Sequence, residues 1–363
     1  MYPETPKTPP VKRLQQWIKA HPRKAYSIAG AVVLLITGVT VFAMSVQKPA
    51  PVEAPVVKTT PKPAPEKKYY SPLTGVQVAD EAATKMATTA IMIENSPDAR
   101  PQSGLKQSGV VYEAVAEGGI TRFLTIHQQD KPQLIGPVRS LRMYYVDWLA
   151  PFNASVAHVG GSANALAEIR NGTYRDIDQF FNPGTYWRAS DRYAPHNVYT
   201  SFEKLDALNQ AKGYKESSFT GFSRIDGKAS DAPNATSIAM TISGPTYNSS
   251  YTWDAVSNTY LRSQAGVPHL DREDGQIAPS AVIALRVNMV KVMEDGYRES
   301  ITTTGSGEAV IFQNGTAQTV TWNKADRASQ LHFTDAAGKD VPLARGQTWI
   351  SAIPNGGGAV TWQ

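Results

Sequence analysis

The chain has 363 residues, a formal net charge of +5 and no cysteine, and its length suits about two domains. Without cysteine it has no disulfide, thiol nucleophile, thiolate metal site or lipid-modified cysteine anchor. Residues 1–68 hold eleven of the 36 Lys and Arg but three of the 31 Asp and Glu. The basic charge therefore belongs to the N-terminal arm, and we predict no nucleic-acid binding by the rest of the chain.

A basic arm and an apolar segment open the chain. Residues 1–25 form the arm, and Tyr26–Val46 follows with 21 residues and no charge, enough to cross a hydrocarbon core of about 30 Å. Since lysines and arginines precede this segment, we predict a single-pass transmembrane signal-anchor over 26–46, with the N-terminus cytoplasmic and the body extracytoplasmic. A cleaved signal peptide is the alternative. Its apolar region is normally shorter, and Ala43-Met44-Ser45 is a poor cleavage site.

Residues 47–70 form a linker rich in proline and lysine. This composition resists helix and sheet and favours extended polyproline II over 47–68. At about 3.1 Å per residue, such a segment holds the body some tens of Å from the membrane. We interpret it as a passive tether.

Residues 71–221 combine short strands with helices, which is typical of a layered α/β domain. The segment GPVRSLRMYY makes Ser140 a candidate N-cap for a helix that starts at Leu141, has Arg142 in its first turn and stops before Pro151. Helical spacing and a terminal glycine predict two further helices, Ala163–Gly172 and Ser201–Gly213. β-branched and aromatic runs predict four strands: Thr88–Glu94, Gly109–Val115, Thr121–Gln128 and Asn153–Gly161.

A different pattern follows a polar connection at residues 222–234. Alternating apolar and polar segments predict a mostly antiparallel β domain over 235–363, and Asn314-Gly315 predicts a tight hairpin within it. The predicted fold class is therefore α/β in the broad α+β sense. It consists of a layered mixed-sheet N-terminal domain with helices, followed by a mostly antiparallel β-rich C-terminal domain.

Polar residues concentrate in the turn-rich stretches of the first domain, but no catalytic signature motif occurs. Each carboxylate has an alternative role as a salt-bridge partner, and each histidine an alternative role as a satisfied structural group. The histidines lack metal-binding spacing, so we predict neither a metal site nor a cofactor. The catalytic residues, if the chain is an enzyme, stay unassigned. The candidate ligand-binding residues are Glu94, Asn95, Arg100, Glu117, Arg122, Arg139, Arg142, His158, His196 and Asn197.

Two of these residues, Arg139 and Arg142, stand at the predicted helix start, where the helix dipole disfavours cations. A compensating anion is therefore expected. It is either a glutamate of the chain, such as Glu94 or Glu117, or a phosphate or carboxylate of a ligand.

Several long runs of the body resemble the YerB-like family of bacterial envelope proteins, a two-unit domain-of-unknown-function family. They are ARPQSGLKQSGVVYEAVAEGGITRFLTIHQ, IGPVRSLR, HVGGS, APHNVYTS, EAVIFQNGTAQTVTWNK and LARGQTWISAIP, and the resemblance covers nearly all of Ser71 to Pro354. It implies a membrane-tethered extracytoplasmic protein with a layered α/β first domain and no established activity. Many members are lipoproteins. This chain lacks the cysteine, so the transmembrane helix takes over the anchoring role.

Three hypotheses on function follow. The leading one is a membrane-tethered cell-envelope protein whose N-terminal domain binds an anionic ligand or a cell-wall component. The second is a wall-polymer hydrolase that uses a Glu/His acid–base pair. The third is a scaffold that contacts other envelope proteins. Convergence of the candidate residues on one open pocket favours the first two, whereas burial and mutual pairing favour the scaffold.

Overall fold

A computed structural model describes residues 9–45, 67–291 and 298–363. The chain divides into two compact units, residues 1–65 and 66–363. In the first unit, α1 is Pro10–Ala20 and α2 is Pro22–Ser45. Within α2, Pro22–Phe42 is long and apolar enough to cross a membrane, with a mean hydropathy of 2.1. The predicted polyproline II segment lies outside the described residues, apart from its last two positions.

The described residues of the second unit form four further helices, which are α3 Glu81–Thr84, α4 Met143–Leu149, α5 Ala163–Ile169 and α6 Phe202–Ala211. They also form short 3-10 helices at Pro97–Ala99, Ala150–Phe152 and Pro183–Thr185. Its first ten strands are β1 Tyr69–Tyr70, β2 Gln77–Val78, β3 Thr89–Glu94, β4 Val110–Glu117, β5 Ile120–His127, β6 Ser155–Ala157, β7 Arg175–Asp176, β8 Trp187–Arg188, β9 Val198–Tyr199 and β10 Arg224–Ile225.

The remaining strands of the second unit are β11 Ser237–Thr241, β12 Ser249–Asp254, β13 Thr259–Gln264, β14 Val267–Pro268, β15 Leu270–Asp271, β16 Gly275–Gln276, β17 Ala281–Val287, β18 Met289–Lys291, β19 Glu299–Ile301, β20 Gly305–Gln313, β21 Thr316–Lys324, β22 His332–Thr334, β23 Leu343–Ala344, β24 Thr348–Pro354 and β25 Ala359–Trp362.

A mixed ten-stranded sheet runs through the unit in the order β22-β21-β20-β17-β24-β4-β5-β3-β6-β7. Strand β24 lies parallel to β4, with Thr348 opposite Val110, so one sheet joins the N-terminal and C-terminal halves of the body. Because β3 and β4 are both antiparallel to β5, and β6 is parallel to β3, the C-terminal ends of β3, β4 and β6 meet at one edge. The predicted domain boundary at 222–234 stays a prediction.

Two apolar cores cover the two faces of this sheet. On one face, α4 and α5 bury Tyr144, Tyr145, Trp148 and Ile169. On the other face lie α6 and a second, antiparallel sheet in the order β14-β13-β12-β11-β25. The layered mixed sheet with helices and the antiparallel strand-rich C-terminal region confirm the predicted fold class.

Local sequence signals placed most of the predicted elements of the first domain correctly. The four predicted strands are β3 to β6, and Ser201 caps α6 by accepting from the Lys204 amide. Asn314 and Gly315 have φ values of 59° and 77° and join β20 to β21, as the hairpin signal predicted.

The predicted start of the Ser140 helix is wrong. Helix α4 begins at Met143, and Arg142, in extended conformation, occupies the N-cap position. The preceding backbone is held by tertiary pairing, because the Arg139 amide donates to the Met92 carbonyl and the Leu141 amide to the Gly160 carbonyl. The predicted end before Pro151 is confirmed, since α4 ends at Leu149.

Candidate functional site

The predicted site residues gather at the sheet edge where β3, β4 and β6 end. Glu94 ends β3, Glu117 ends β4, and His158 follows β6. Arg122 on β5 lies opposite Glu94 in the strand register. Side-chain contacts divide these residues into three groups. Arg142 of the first group lines a cavity of about 220 Å³, and His196 of the third group lines one of about 700 Å³.

The first group is a clamp of Glu117, Arg122 and Arg142. Arg122 Nη2 lies 2.6 Å from Glu117 Oε1, and Arg142 donates through Nη2 and Nε to Glu117 Oε2 at 2.6 and 3.0 Å. Burial acts to raise the pKa of Glu117, but the two arginines outweigh it and hold that pKa below its ordinary value. The anion that faces Arg142 is therefore a glutamate of the chain. The predicted pairing of a glutamate with these arginines is confirmed.

The second group surrounds His158, which is fully buried. Its Nδ1 lies 2.7 Å from the Gly160 carbonyl oxygen and its Nε2 lies 3.0 Å from Asp176 Oδ1. Both neighbours accept hydrogen bonds, so both bonds form only when each ring nitrogen carries a proton. Arg170 donates to the buried Asp178 at 2.7 Å. The charged side chains of this group are therefore paired with one another. No cluster of metal-binding side chains occurs among the described residues.

The third group joins Glu94, Ser96, Arg139 and His196. Ser96 Oγ donates to Glu94 Oε1 at 3.1 Å and lies 3.1 Å from His196 Nδ1. Glu94 Oε2 lies 3.0 Å from the same ring nitrogen, and Arg139 Nε lies 3.2 Å from Glu94 Oε1. The Glu94 side chain is 3% exposed and that of His196 is 20% exposed. The carboxylate thus lies behind the ring, on its buried side.

His196 borders a cavity of about 700 Å³, which we call the arginine cleft. It is lined by Asp98, Arg100, Pro101, Asp191, Arg192, Tyr193, Ala194, His196 and Arg272. Three loops supply this lining. They follow β3, precede β9 and join β15 to β16.

The arginines of the cleft differ in how they are held. Arg272 pairs with Asp191 at 2.7 Å. Arg100 donates to the backbone carbonyls of Asn95 and Thr246 at 2.9 and 3.0 Å, and Arg192 donates to the carbonyls of Asp98 and Pro101. Within the described residues, neither Arg100 nor Arg192 has a carboxylate at ion-pair distance. Burial lowers the pKa of Arg100, but a guanidinium stays charged at physiological pH.

Two predicted asparagines shape the cleft. Asn95 Oδ1 accepts from Arg100 Nε at 3.1 Å, and its amide donates to Thr121. Asn197 donates to the carbonyls of Ala189 and Arg192, which fixes the loop that carries Arg192. Both act by positioning other groups.

Sequence reasoning left several cleft residues out of the candidate set. Arg192 and Asp191 lie in the polar stretch WRASDRYAPHNVYTS, and its composition is the available signal. Arg272 gave no signal, since it lies 76 positions beyond His196 in the numbering and only the fold brings it near.

A second cavity of about 580 Å³ lies beside the start of the body, with Phe222, Leu331 and Phe333 in its lining. Arg345 in its lining pairs with Asp226 at 2.6 Å, whereas Arg224 donates to carbonyls and to Thr348. We place the candidate site at the arginine cleft because His196, with the buried Glu94 behind it, lines that cavity beside the arginines.

Comparison with known proteins adds a family and a solved relative. Residues 73–215 match the model described as "Protein of unknown function (DUF3048) N-terminal domain", and residues 238–350 match the model of the C-terminal domain. The chain is 32% identical over 298 residues to "Putative lipoprotein YerB" of Bacillus subtilis (strain 168), covering 81% of this chain and 88% of the relative. It is similar to the crystal structure of YerB protein from Bacillus subtilis, with a TM-score of 0.71, 29% identity, and coverage of 81% of this chain and 100% of that one.

Proposed function

The chain belongs to the YerB-like (DUF3048) family, and from that premise we propose that it is a membrane-attached cell-envelope protein that binds an anionic ligand in the arginine cleft. The observation that carries the proposal is which groups hold the side chains of Arg100 and Arg192. Neutral carbonyls hold both guanidinium groups at a cavity wall, and no carboxylate of the described residues lies at ion-pair distance from either.

Membrane attachment rests on α2 and on the lipoprotein name of the relative. This sequence has no cysteine to carry a lipid, so α2 supplies the anchor. In this proposal the N-terminus is cytoplasmic and the body lies outside, because the basic residues before α2 favour that orientation. Protease added to intact, wall-stripped cells should then remove the body, and full protection of the body would contradict this orientation.

An oxyanion suits the cleft because a guanidinium fork binds phosphate or carboxylate oxygens in two-point contact. We assign direct ligand contact to Arg100 and His196 among the predicted residues, and to Arg192 in addition. Asn95, Asn197, Glu94 and Arg139 then support these contacts. In this proposal the Glu117 clamp and the His158 group stabilise the sheet edge and do not touch the ligand.

A protein partner is the second candidate function. Four of the predicted residues (Glu94, Arg122, Arg142 and His158) are buried and paired, and Glu117 is paired and half-buried, which is the arrangement expected of a scaffold. Tyr193 at the cleft is 92% exposed, and Phe180 and Phe181 are 66% and 68% exposed. Exposed aromatic side chains of this kind are common in protein interfaces.

The test is a ligand titration of the full chain in detergent. Inorganic phosphate, acetate and phosphate-bearing or carboxylate-bearing wall fragments are titrated by calorimetry, with the melting temperature as a second readout. Binding at 100 times the dissociation constant should stabilise the protein by about 2.7 kcal/mol. Arg192→Gln should weaken binding at least tenfold, about 1.4 kcal/mol.

The matched control is Arg345→Gln, which removes a paired arginine outside the cleft and should leave binding unchanged. Equal affinity in Arg192→Gln and the wild type would remove the ligand from the cleft. Absence of binding by every anion would favour the protein partner.

A further inference from the structure

We propose that His196 acts as a general base in the hydrolysis of a phosphate ester bound in the arginine cleft. This inference rests on the proposed function, because it takes the cleft arginines as the ligands of the phosphate. It adds a reaction and a substrate class.

The hydrogen bonds around His196 fix which nitrogen is basic. The Ser96 hydroxyl donates to Glu94 Oε1, so towards His196 Nδ1 it offers a lone pair at 3.1 Å. Glu94 Oε2 lies 3.0 Å from Nδ1 without a hydrogen bond to it, and its negative charge also favours a proton on that nitrogen. Both neighbours therefore favour a proton on Nδ1 and leave the lone pair on Nε2.

The basic nitrogen is on the cleft side of the ring. Nε2 lies 4.0 Å from Asp98 Oδ2, and Asp98 lines the cleft with its side chain 83% exposed. Nε2 has no hydrogen-bond partner among the described residues. Water can reach Nε2 only from the cleft that His196 lines, and contact with water is what a general base needs.

Glu94 stabilises the imidazolium that forms when Nε2 takes a proton. It is nearly buried, so its negative charge acts on the ring through a medium of lower dielectric than water. Arg139 and Ser96 hold the carboxylate in place. Ser96 faces Nδ1, not Nε2, so it is a positioning residue, and the nucleophile is water.

In the reaction, Nε2 takes a proton from water while the water oxygen forms a bond to phosphorus. The ester P–O bond breaks, and the proton on Nε2 passes to the leaving oxygen. The products are an alcohol and a phosphate with one ester bond fewer, and His196 returns to its neutral form. Arg100 and Arg192 bind the non-bridging oxygens, on which negative charge is concentrated.

The test uses the full chain in detergent with bis(p-nitrophenyl) phosphate and p-nitrophenyl phosphate, and follows nitrophenolate release. We expect turnover by the wild type and a loss of about 10²- to 10⁴-fold in kcat for His196→Gln. Binding of inorganic phosphate, measured by calorimetry, should fall by much less. The control is His332→Gln on β22, an exposed histidine outside the cleft, which should keep full turnover.

Ser96→Ala keeps the inference testable if His196→Gln fails to fold. It should lower kcat with little change in KM, and it should alter the acid limb of the pH–rate profile, which a merely structural role would not move. Phosphate binding without nitrophenolate release, or equal turnover in His196→Gln and wild type, overturns the inference and leaves the proposed function standing. Absence of phosphate binding to the wild type overturns the inference, and absence of binding by every anion titrated overturns the proposed function as well.

Discussion

The strongest test of the fold is to break the buried ion pair between Glu113 on β4 and Arg262 on β13. Both side chains are fully buried, and Arg262 Nη2 lies 3.1 Å from Glu113 Oε1. Glu113 Oε2 also accepts from Trp349 Nε1 at 3.0 Å and from Ser351 Oγ at 3.1 Å. The Arg262 guanidinium lies 4.3 Å from the centre of the Trp349 ring. The pair therefore joins the central sheet to the second sheet.

Glu113→Gln keeps the shape of the side chain but leaves the Arg262 charge buried without a counterion. Loss of one partner of a buried pair costs about 3–5 kcal/mol, and Arg262→Met should cost a similar amount because Glu113 then stays charged and unpaired. The double variant should lose no more than either single variant, since no buried charge remains. The pair thus predicts a strongly non-additive double-mutant cycle.

The assay is urea unfolding of the full chain in detergent, followed by tryptophan fluorescence. Arg272→Met is the control, because the Arg272–Asp191 pair is half-exposed and such pairs contribute about 0–1 kcal/mol. The claim is that breaking this pair leaves one buried charge without a partner. It would be refuted if the two single variants had additive effects, or if each lost no more free energy of unfolding than the control.

Two further predictions concern the sheet edge and its pH dependence. Arg142→Lys should lower the free energy of unfolding by about 1–3 kcal/mol, because lysine cannot make the two bonds to Glu117 and the bond to the Leu141 carbonyl together; an unchanged melting temperature would contradict this. Burial lowers the pKa of His127 to about 3 in the folded protein, whereas its pKa in the unfolded chain is about 6.5. Between these two pH values the unfolded chain therefore binds more protons than the folded protein. Stability should therefore fall by about 2 kcal/mol from pH 6.5 to pH 5 on account of this group. His127→Gln should remove that part of the fall, and an unchanged pH slope would show that His127 does not contribute.

The sequence predicts an element well where local pattern and burial agree. Strands β3 and β4 are runs of β-branched and aromatic residues buried on both faces, so their apolar pattern was decisive. The prediction of where α4 begins was wrong because a capping serine is only a local signal. The residues around Ser140 pair instead with distant backbone, at Met92 and Gly160, and no local pattern reports those partners.

For the candidate site, the sequence predicted only which types of residue would be present. Glutamates and arginines at strand ends predicted ion pairs, and the Glu117 clamp confirms them. Which arginine stays free of a carboxylate depends on the folded loops. Arg142 has Glu117 as its partner, whereas Arg192 is held by the carbonyls of Asp98 and Pro101. That distinction decides which residue faces a ligand, and it is a property of tertiary structure.

A chain of buried hydrogen bonds explains why the cleft depends on both halves of the body. Arg262 Nε donates to His269 Nδ1 at 2.9 Å, and His269 Nε2 then carries the proton that bonds Gln102 Oε1 at 3.0 Å. Burial, reinforced by the charge of Arg262, holds the pKa of His269 well below its ordinary value and keeps this direction fixed.

The Gln102 amide continues the chain towards the cleft. It donates to the Glu94 carbonyl and to Asn95 Oδ1, each at 3.0 Å, and Asn95 in turn accepts from Arg100. The Arg272 amide donates to the Gln102 carbonyl at 2.8 Å, which brings a C-terminal arginine to the same cavity. In each of these hydrogen bonds only one of the two groups can be the donor. The C-terminal half therefore fixes the loop that carries Glu94 and Arg100. The N-terminal half alone would therefore lack both Arg272 and the support that holds Arg100 in the cleft.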